Sequence, residues 1–159
     1  MNVPLLIRQQ WFKNLPSIQQ KMIRQSLELL EREKRLATTW SDYSFILFPM
    51  AKAYEGFIKE FFYRRGLISH QTYIGRKFRV GRSLNPDISQ HHQDEWWLYD
   101  DLSKQCGVGV ARKLWDAWIE CRNHVFHYFP QQQAEYSLVE IEKKIHLLID
   151  VMTYASECE

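Results

Sequence analysis

The sequence predicts an all-α protein, a bundle of four to five helices. Three observations support this fold class. Apolar residues recur at helical spacing through the long segments of the chain. Glycine and proline, which interrupt helices, number only 6 and 5 among 159 residues. No repeat, low-complexity tract or long linker divides the chain, and 45% hydrophobic residues suffice for the core of a single domain over residues 1–159.

Two long helices are expected in the first half of the chain. The apolar residues between Ile18 and Leu36 repeat every three or four positions, opposite a charged face. A second helix is expected to begin after an N-cap at Ser41 or Asp42 and to run to about Arg65. Its many aromatic and aliphatic residues predict the central buried helix, and Pro49 either kinks this helix or marks its true start.

Residues 67–92 lack a clear periodicity and are expected to form an irregular basic loop or a short hairpin. No acidic residue lies between Glu60 and Asp87, so the cations of this stretch have no acidic neighbours along the chain. Such a basic segment attracts a phosphate backbone. The candidate RNA-binding residues are Arg76, Lys77, Arg79 and Arg82. The alternative is a solvated loop whose charges balance acidic residues elsewhere on the surface.

Three further helices are expected in the second half of the chain. The first is short, runs from Asp94 to Leu102, and is followed by a break at Gly107. The second runs from about Val110 to Tyr128 and is ended by Pro130. The third runs from Leu138 to Ser156 and carries apolar residues at helical spacing.

Composition indicates whether the protein enters a membrane, is secreted or binds a metal. The formal net charge is only +2, and the chain has no run of 18 or more apolar residues, so we expect no membrane span. Its first residues lack the basic and apolar regions of a signal peptide. The three widely spaced cysteines argue against a disulfide framework and a zinc site, and we expect no metal or other cofactor. These features predict a protein of the reducing cytoplasm.

Arg122 and His127 lie five positions apart near a predicted helix end. An arginine binds phosphate and a histidine transfers protons near neutral pH, so this pair has the groups needed to cleave RNA without a metal. On a regular helix five residues turn through about 500°, which leaves the two side chains some 140° apart. The pair can meet only if the helix unwinds near His127, or if two copies of the chain share one site.

The same spacing also occurs at Arg65 and His70. This second pair falls where a helix is expected to end, directly before Gly66, and lacks aromatic neighbours. We expect both of its side chains to be solvated.

Arg122-Asn123, followed after three residues by His127, matches the Arg-polar-x3-His motif of HEPN domains, and the chain resembles these all-α domains over about residues 40–155. The segment from Asp42 to Phe57 resembles the first core helix of the HEPN domain in RNase LS-type toxins. The segment from Arg122 to Pro130 resembles the active-site segment of the same group. The resemblance implies a HEPN core over residues 40–158, preceded by an N-terminal helix extension over residues 1–39.

The resemblance also implies an activity: a metal-independent endoribonuclease, a toxin or antiphage effector, that works as a homodimer and leaves 2′,3′-cyclic phosphate and 5′-hydroxyl ends. Arg122 would bind the scissile phosphate, and His127 would act as general base or general acid. Asn123 would hold or orient the site. An acidic residue of the first core helix would position the arginine, with Glu55 the best match and Glu60 the second.

Phe129 occupies the position at which HEPN proteins paired with a nucleotidyltransferase often carry a tyrosine, the acceptor of AMP. This difference favours an antitoxin or inhibitor protein that binds the site and covers it. Two other functions stay open. One is a non-catalytic HEPN module that binds RNA, a nucleotide or a protein partner, and the other is an assembly subunit that packs against a larger enzyme.

Overall fold

The computed structural model describes residues 6, 8–36, 39–130 and 135–158. Within these ranges the chain is helical and has no β-strand, which confirms the all-α class. None of the described helices combines the length and the apolarity needed to cross a bilayer. The helices are α1 (Gln10–Asn14), α2 (Ser17–Arg35), α3 (Ser44–Arg64), α4 (His70–Ile74), α5 (Val80–Ser83), α6 (Tyr99–Cys106), α7 (Val108–Trp118), α8 (His124–Phe126) and α9 (Leu138–Ser156).

Helix α3 is the centre of the bundle, as its apolar composition predicts. It lies between α2 and α9, whose buried faces carry residues such as Ile23, Leu27 and Ile145. These residues belong to the same hydrophobic core as those of α3, so α2, which lies in the predicted N-terminal extension, is an integral layer of the bundle. Tyr54 of α3 is fully buried, and its hydroxyl donates a hydrogen bond to the carbonyl oxygen of Leu114 in α7, at 2.8 Å.

Pro49 lies within α3 and does not mark its start, because the helix begins at Ser44. A serine of the neighbouring helix inserts into α3 beside this proline. The Ser26 hydroxyl of α2 donates to the carbonyl oxygen of Ile46 at 2.6 Å and accepts from the amide of Met50 at 2.9 Å. In a regular helix those two backbone groups would bond each other directly. The inserted hydroxyl therefore replaces the direct backbone hydrogen bond between Ile46 and Met50, which is broken next to the proline.

The predicted N-cap at Ser41 or Asp42 is misplaced, because the N-cap residue of α3 is Tyr43 and its side chain makes no capping hydrogen bond. Asp42 instead ties two parts of the chain together. The carboxylate of Asp42 accepts from the amide of Ser44, the first residue of α3, at 3.1 Å. The same carboxylate accepts from the amide of Tyr136, just before α9, at 3.1 Å. Asp42 therefore fixes the start of α3 against the start of α9.

The segment from 67 to 92 forms short helices joined by loops, and no hairpin forms in it. Helices α4 and α5 lie here, with a 3₁₀ turn at Gln90–His92. Ser69 caps α4, because its hydroxyl accepts from the amide of Thr72 at 3.1 Å. Phe78 is buried, and its ring packs edge-on against an aromatic ring of α3. Burial of this residue orders a stretch that has no periodicity of its own.

The third predicted helix begins later than expected. It was predicted from Asp94 to Leu102, whereas α6 runs over Tyr99–Cys106. The carboxylate of Asp94 accepts from the amide of Trp96 at 3.1 Å and pairs with the Arg82 guanidinium at 2.7 Å. These contacts hold a turn at the place where a helix start was expected.

The prediction of unpaired cysteines is wrong, because Cys106 and Cys158 form a disulfide bond. The two residues are 52 positions apart in sequence, but the fold brings the C-terminal ends of α6 and α9 together, with their Cα atoms 5.7 Å apart. Cys121 is the free cysteine of the described residues, and it is buried. The number and spacing of the cysteines therefore give no support to a reducing compartment.

Candidate active site

The helix that carries the candidate catalytic residues changes its winding at that point. After α7, residues Ile119–Asn123 form a π turn, in which the amide of His124 donates to the carbonyl of Ile119, five residues back. The chain leaves helical conformation at His127, with φ −104° and ψ 135°. Arg122 lies within the π turn and His127 lies just beyond the helix end. Together these two departures remove the 140° separation that a regular helix would impose.

Arg122 and His127 of one chain are in direct contact. Nη1 of Arg122 lies 3.0 Å from Nε2 of His127. A guanidinium has only donors, so Nε2 must accept with its lone pair, and the imidazole proton then lies on Nδ1. A second copy of the chain is therefore not needed to bring the two side chains together.

Of the two acidic candidates, Glu55 lies at this site and Glu60 does not. Oε2 of Glu55 is 4.0 Å from Nη2 of Arg122. The Arg122 guanidinium also lies over the Trp118 ring, 5.0 Å from its centroid. Glu60 instead pairs with Arg64 at 2.9 Å. A hydrogen bond to Glu60 also raises the pKa of the Tyr73 hydroxyl to about 12.

An open cleft of about 290 Å³ lies beside the Arg122–His127 pair. Its walls come from α3, from the π turn and from the segment that follows it. The lining residues are Phe48, Ala51, Lys52, Glu55, Arg122, Phe126 and His127. The Arg122 side chain is 32% exposed, and His127 is exposed. Both polar groups are thus accessible to a ligand that enters the cleft.

Two residues of this cleft, Phe48 and Lys52, were missed by the sequence analysis. Both lie on the face of α3 that carries Glu55, because positions three and seven residues apart share one side of a helix. Phe48 is 55% exposed, which is unusual for a large apolar residue of the central helix. The helical spacing from Glu55 back to Lys52 and Phe48 was the available signal.

Lys144 of α9 stabilises the π turn, and the sequence analysis did not predict this role. Its ammonium group donates to the backbone carbonyl oxygen of Glu120 at 3.0 Å and forms an ion pair with the side chain of the same residue. It also lies 4.9 Å from the centroid of the Tyr136 ring. Lys144 is buried, and next to it burial raises the pKa of the Cys121 thiol to about 12. The backbone just before Arg122 is therefore held by tertiary contacts.

Asn123 contributes to the site through its backbone. Its carbonyl oxygen accepts from the amide of His127 at 3.2 Å, which closes the last turn before the histidine. Its side chain does not line the cleft and makes no hydrogen bond among the described residues. The predicted orienting role of Asn123 stays a prediction.

The four basic candidates do not line this cleft. Arg82 pairs with Asp94, and the Arg79 guanidinium donates to the carbonyl oxygen of Arg76 at 2.6 Å. Arg76 and Lys77 line a different cavity of about 710 Å³, next to α4. Their RNA-binding role stays a prediction, and it would require a second contact surface.

The second Arg–His pair is not assembled in the part of the chain that the structure describes. The Arg65 guanidinium donates to the carbonyl oxygen of Cys158 and lies 4.7 Å from the centroid of the Phe61 ring. His70 is exposed, and its ring lies against that of Tyr63. Arg65 is thus a structural contact to the C-terminal segment, where solvation was expected.

No group of three or more histidine, cysteine, aspartate or glutamate residues within the described ranges is arranged to hold a metal ion.

No protein-family model, curated protein or solved structure matches this chain. The HEPN resemblance accordingly stays a hypothesis.

Proposed function

We propose that the protein is a metal-independent endoribonuclease of the HEPN type, a toxin or defence effector, with Arg122 and His127 as its catalytic pair. The observation that carries this proposal is the 3.0 Å contact between Nη1 of Arg122 and Nε2 of His127 at the edge of an open cleft. A permanent cation and a proton acceptor then lie within reach of one phosphodiester. The Glu55 carboxylate, 4.0 Å from the Arg122 guanidinium, neutralises part of the cation's charge.

The reaction follows from these groups. A phosphate entering the cleft forms charge-assisted hydrogen bonds with Arg122, which are stronger than the bond from Arg122 to the neutral imidazole. His127 Nε2 is then free to accept the proton of the ribose 2′-hydroxyl as general base. The 2′-oxygen attacks phosphorus, the bond to the 5′-oxygen breaks, and the leaving oxygen takes up a proton from an imidazolium or from water. Arg122 stabilises the charge that develops on the phosphorane, and the products are a 2′,3′-cyclic phosphate and a 5′-hydroxyl.

The proposal extends to partners and location. A homodimer would place a second imidazole near the leaving oxygen, so that one histidine acts as base and the other as acid. An antitoxin or inhibitor protein would act by covering the cleft. Arg76, Lys77, Arg79 and Arg82 would bind the RNA backbone away from the cut. Cellular RNA as the substrate implies action in the cytoplasm, although the Cys106–Cys158 disulfide is more typical of oxidising compartments.

The decisive experiment is cleavage of total RNA, and then of a defined oligonucleotide, in the presence of EDTA. We expect wild-type protein to cleave, and His127→Ala to lose roughly 10²- to 10⁴-fold in rate, the usual contribution of a general base. Replacing the scissile ribose by its 2′-deoxy form should abolish the cut, because the nucleophile is gone. His124→Ala is the matched control, because this exposed histidine of the same segment contacts Phe129 and does not line the cleft.

One observation favours the non-catalytic alternative, in which the cleft only binds RNA, a nucleotide or a protein partner. Arg122 already has intramolecular partners, His127 at 3.0 Å and Glu55 at 4.0 Å. If these contacts persist when RNA is bound, no proton acceptor is released. Binding of an oligonucleotide by wild-type protein without cleavage at any protein concentration would establish this alternative and end the nuclease proposal.

A further inference from the structure

An aromatic pair lines the same cleft as Arg122 and His127. Phe48 of α3 and Phe126 of α8 meet with ring centroids 5.6 Å apart and planes at 85°. In such an edge-to-face contact at most one face of Phe48 is used, so its other face is available to a ligand. Phe48 is 55% exposed, and Phe126 directly precedes His127 in sequence.

The charges beside this pair indicate what the exposed ring binds. Lys52 is exposed one turn after Phe48 and lines the cleft together with Arg122, so the lining carries two cations and the single carboxylate of Glu55. The small, buried side chain of Ala51 also lines the cleft. An anionic group joined to a flat aromatic ring complements this surface, and that combination is a nucleotide with its base unstacked.

We infer that Phe48, supported by Phe126, forms a base-stacking subsite next to the scissile phosphate, and that the substrate is single-stranded RNA. The inference rests on the proposed function. A cleft of about 290 Å³ lies at the lower end of the usual range for ligand sites, so it has room for about one nucleotide. In duplex RNA the flanking base is stacked within the helix and is not available to Phe48. Annealing a complementary strand over the cut should therefore suppress cleavage.

The test is a double-mutant cycle, in which the Phe48 side chain and the flanking base are removed separately and together. The cleavage site of a single-stranded oligonucleotide is first mapped with wild-type protein. Each of the two flanking nucleotides is then replaced, one at a time, by an abasic ribose. We expect Phe48→Ala to lower kcat/KM about tenfold on the intact substrate, in line with the loss of one base–aromatic stack. On the substrate that lacks the stacked base, wild type and Phe48→Ala should be equal.

Phe45→Ala is the matched control. Phe45 lies on the same helix and is 40% exposed, but it stacks on Tyr43 and does not line the cleft. It should cleave both substrates like wild type. Equal losses for Phe45→Ala and Phe48→Ala, or a Phe48→Ala loss that persists without the base, would overturn the subsite.

A second readout separates failure of the subsite from failure of the nuclease proposal. A single-stranded oligonucleotide with 2-aminopurine at one interior position and a 2′-O-methyl group on every ribose cannot be cleaved, and its design needs no mapped cut. Stacking on Phe48 should quench its fluorescence in wild type and Phe45→Ala, but not in Phe48→Ala. Quenching without cleavage of natural RNA supports the subsite and refutes the nuclease. Absence of quenching, or a change in oligomeric state for Phe48→Ala with binding unchanged, refutes the subsite.

Discussion

The ammonium group of Lys144 lies 3.0 Å from the backbone carbonyl oxygen of Glu120, two residues before Arg122. In a regular α-helix this carbonyl would accept from the amide of His124. In the π turn that amide goes to Ile119 instead, so the carbonyl of Glu120 takes its donor from α9. The winding that brings Arg122 and His127 together is thus stabilised from another helix.

Replacing Lys144 by Met should therefore affect both stability and activity. The change leaves a backbone carbonyl without its donor, and we expect a loss of about 1–3 kcal/mol in the free energy of unfolding. Thermal denaturation should show it as a lower Tm, and cleavage should slow because Arg122 is no longer held in place. Lys143→Met, at the exposed neighbouring position, should leave both unchanged. Equal behaviour of the two variants would contradict the role assigned to Lys144.

Glu55→Gln should weaken the hold on Arg122, whereas Glu60→Gln should not. The Glu55–Arg122 pair is partly exposed, with side chains 43% and 32% accessible. Such pairs contribute about 0.2–1 kcal/mol, so we expect kcat/KM for RNA to fall by up to about fivefold. Glu60 pairs with Arg64 away from the cleft, and its variant should cleave like wild type. A larger effect at Glu60 than at Glu55 would reverse the assignment.

Ser26→Ala should destabilise the bundle more than its small size suggests. Its hydroxyl bridges the carbonyl oxygen of Ile46 and the amide of Met50, and both backbone groups are left without that partner in the variant. We expect about 1–3 kcal/mol of lost stability in urea denaturation. Ser17→Ala, at the exposed start of the same helix, serves as the control. If Ser26→Ala were as stable as Ser17→Ala, the backbone groups of Ile46 and Met50 would not depend on the serine, and α3 would form their hydrogen bond directly.

The ion pair between Lys34 and Glu142, at 2.6 Å, joins α2 to α9 and should give a pH-dependent contribution to stability. A hydrogen bond from Lys34 lowers the pKa of Glu142 below its ordinary 4.5, and the same bond raises the pKa of Lys34 above 10.5. A lowered carboxyl pKa stabilises the fold above about pH 4.5 and loses its effect as pH falls through the folded value. A raised ammonium pKa stabilises below about pH 10.5 and loses its effect as pH rises through its folded value.

Glu142→Gln should accordingly be less stable than wild type by about 0.2–1 kcal/mol between pH 5 and 10, because both groups are partly exposed. The difference should shrink toward pH 3 and above pH 11. Denaturation curves across this range measure it, with Glu28→Gln on the exposed face of α2 as the control. A difference that grows in acid would contradict the assigned direction of the Glu142 pKa.

The Cys106–Cys158 bond closes a loop between residues 52 positions apart. Removing such a cross-link typically costs about 2–4 kcal/mol. We expect a reductant to lower the Tm of wild type and to have no effect on Cys158→Ser. Thiol labelling should find Cys121 alone, and only after unfolding, because burial raises its pKa to about 12. Three reactive thiols in unfolded, non-reduced protein would exclude the disulfide.

The sequence predicted the long helices well because their signal is local. Helix α9 spans Leu138–Ser156 as expected, and α2 runs over Ser17–Arg35, one residue from each expected end. Both repeat apolar residues at 3.6-residue spacing. The Arg122–His127 spacing was likewise visible in the sequence, as were Glu55 and Glu60. Glu55 was ranked above Glu60 by the resemblance alone, because both acids lie on one helix and only the packing of α3 against the π turn separates them.

Sequence alone thus determined the fold class, the boundaries of the three longest helices to within a few residues, and the pair of residues on which the proposed chemistry depends, since all three are encoded in neighbouring positions. Tertiary structure decided the π turn held by Lys144, the opening of α3 around Ser26, the Cys106–Cys158 bond and the exposure of Phe48 in the cleft. Each of these features depends on groups far apart along the chain, and local propensity carries no information about such contacts.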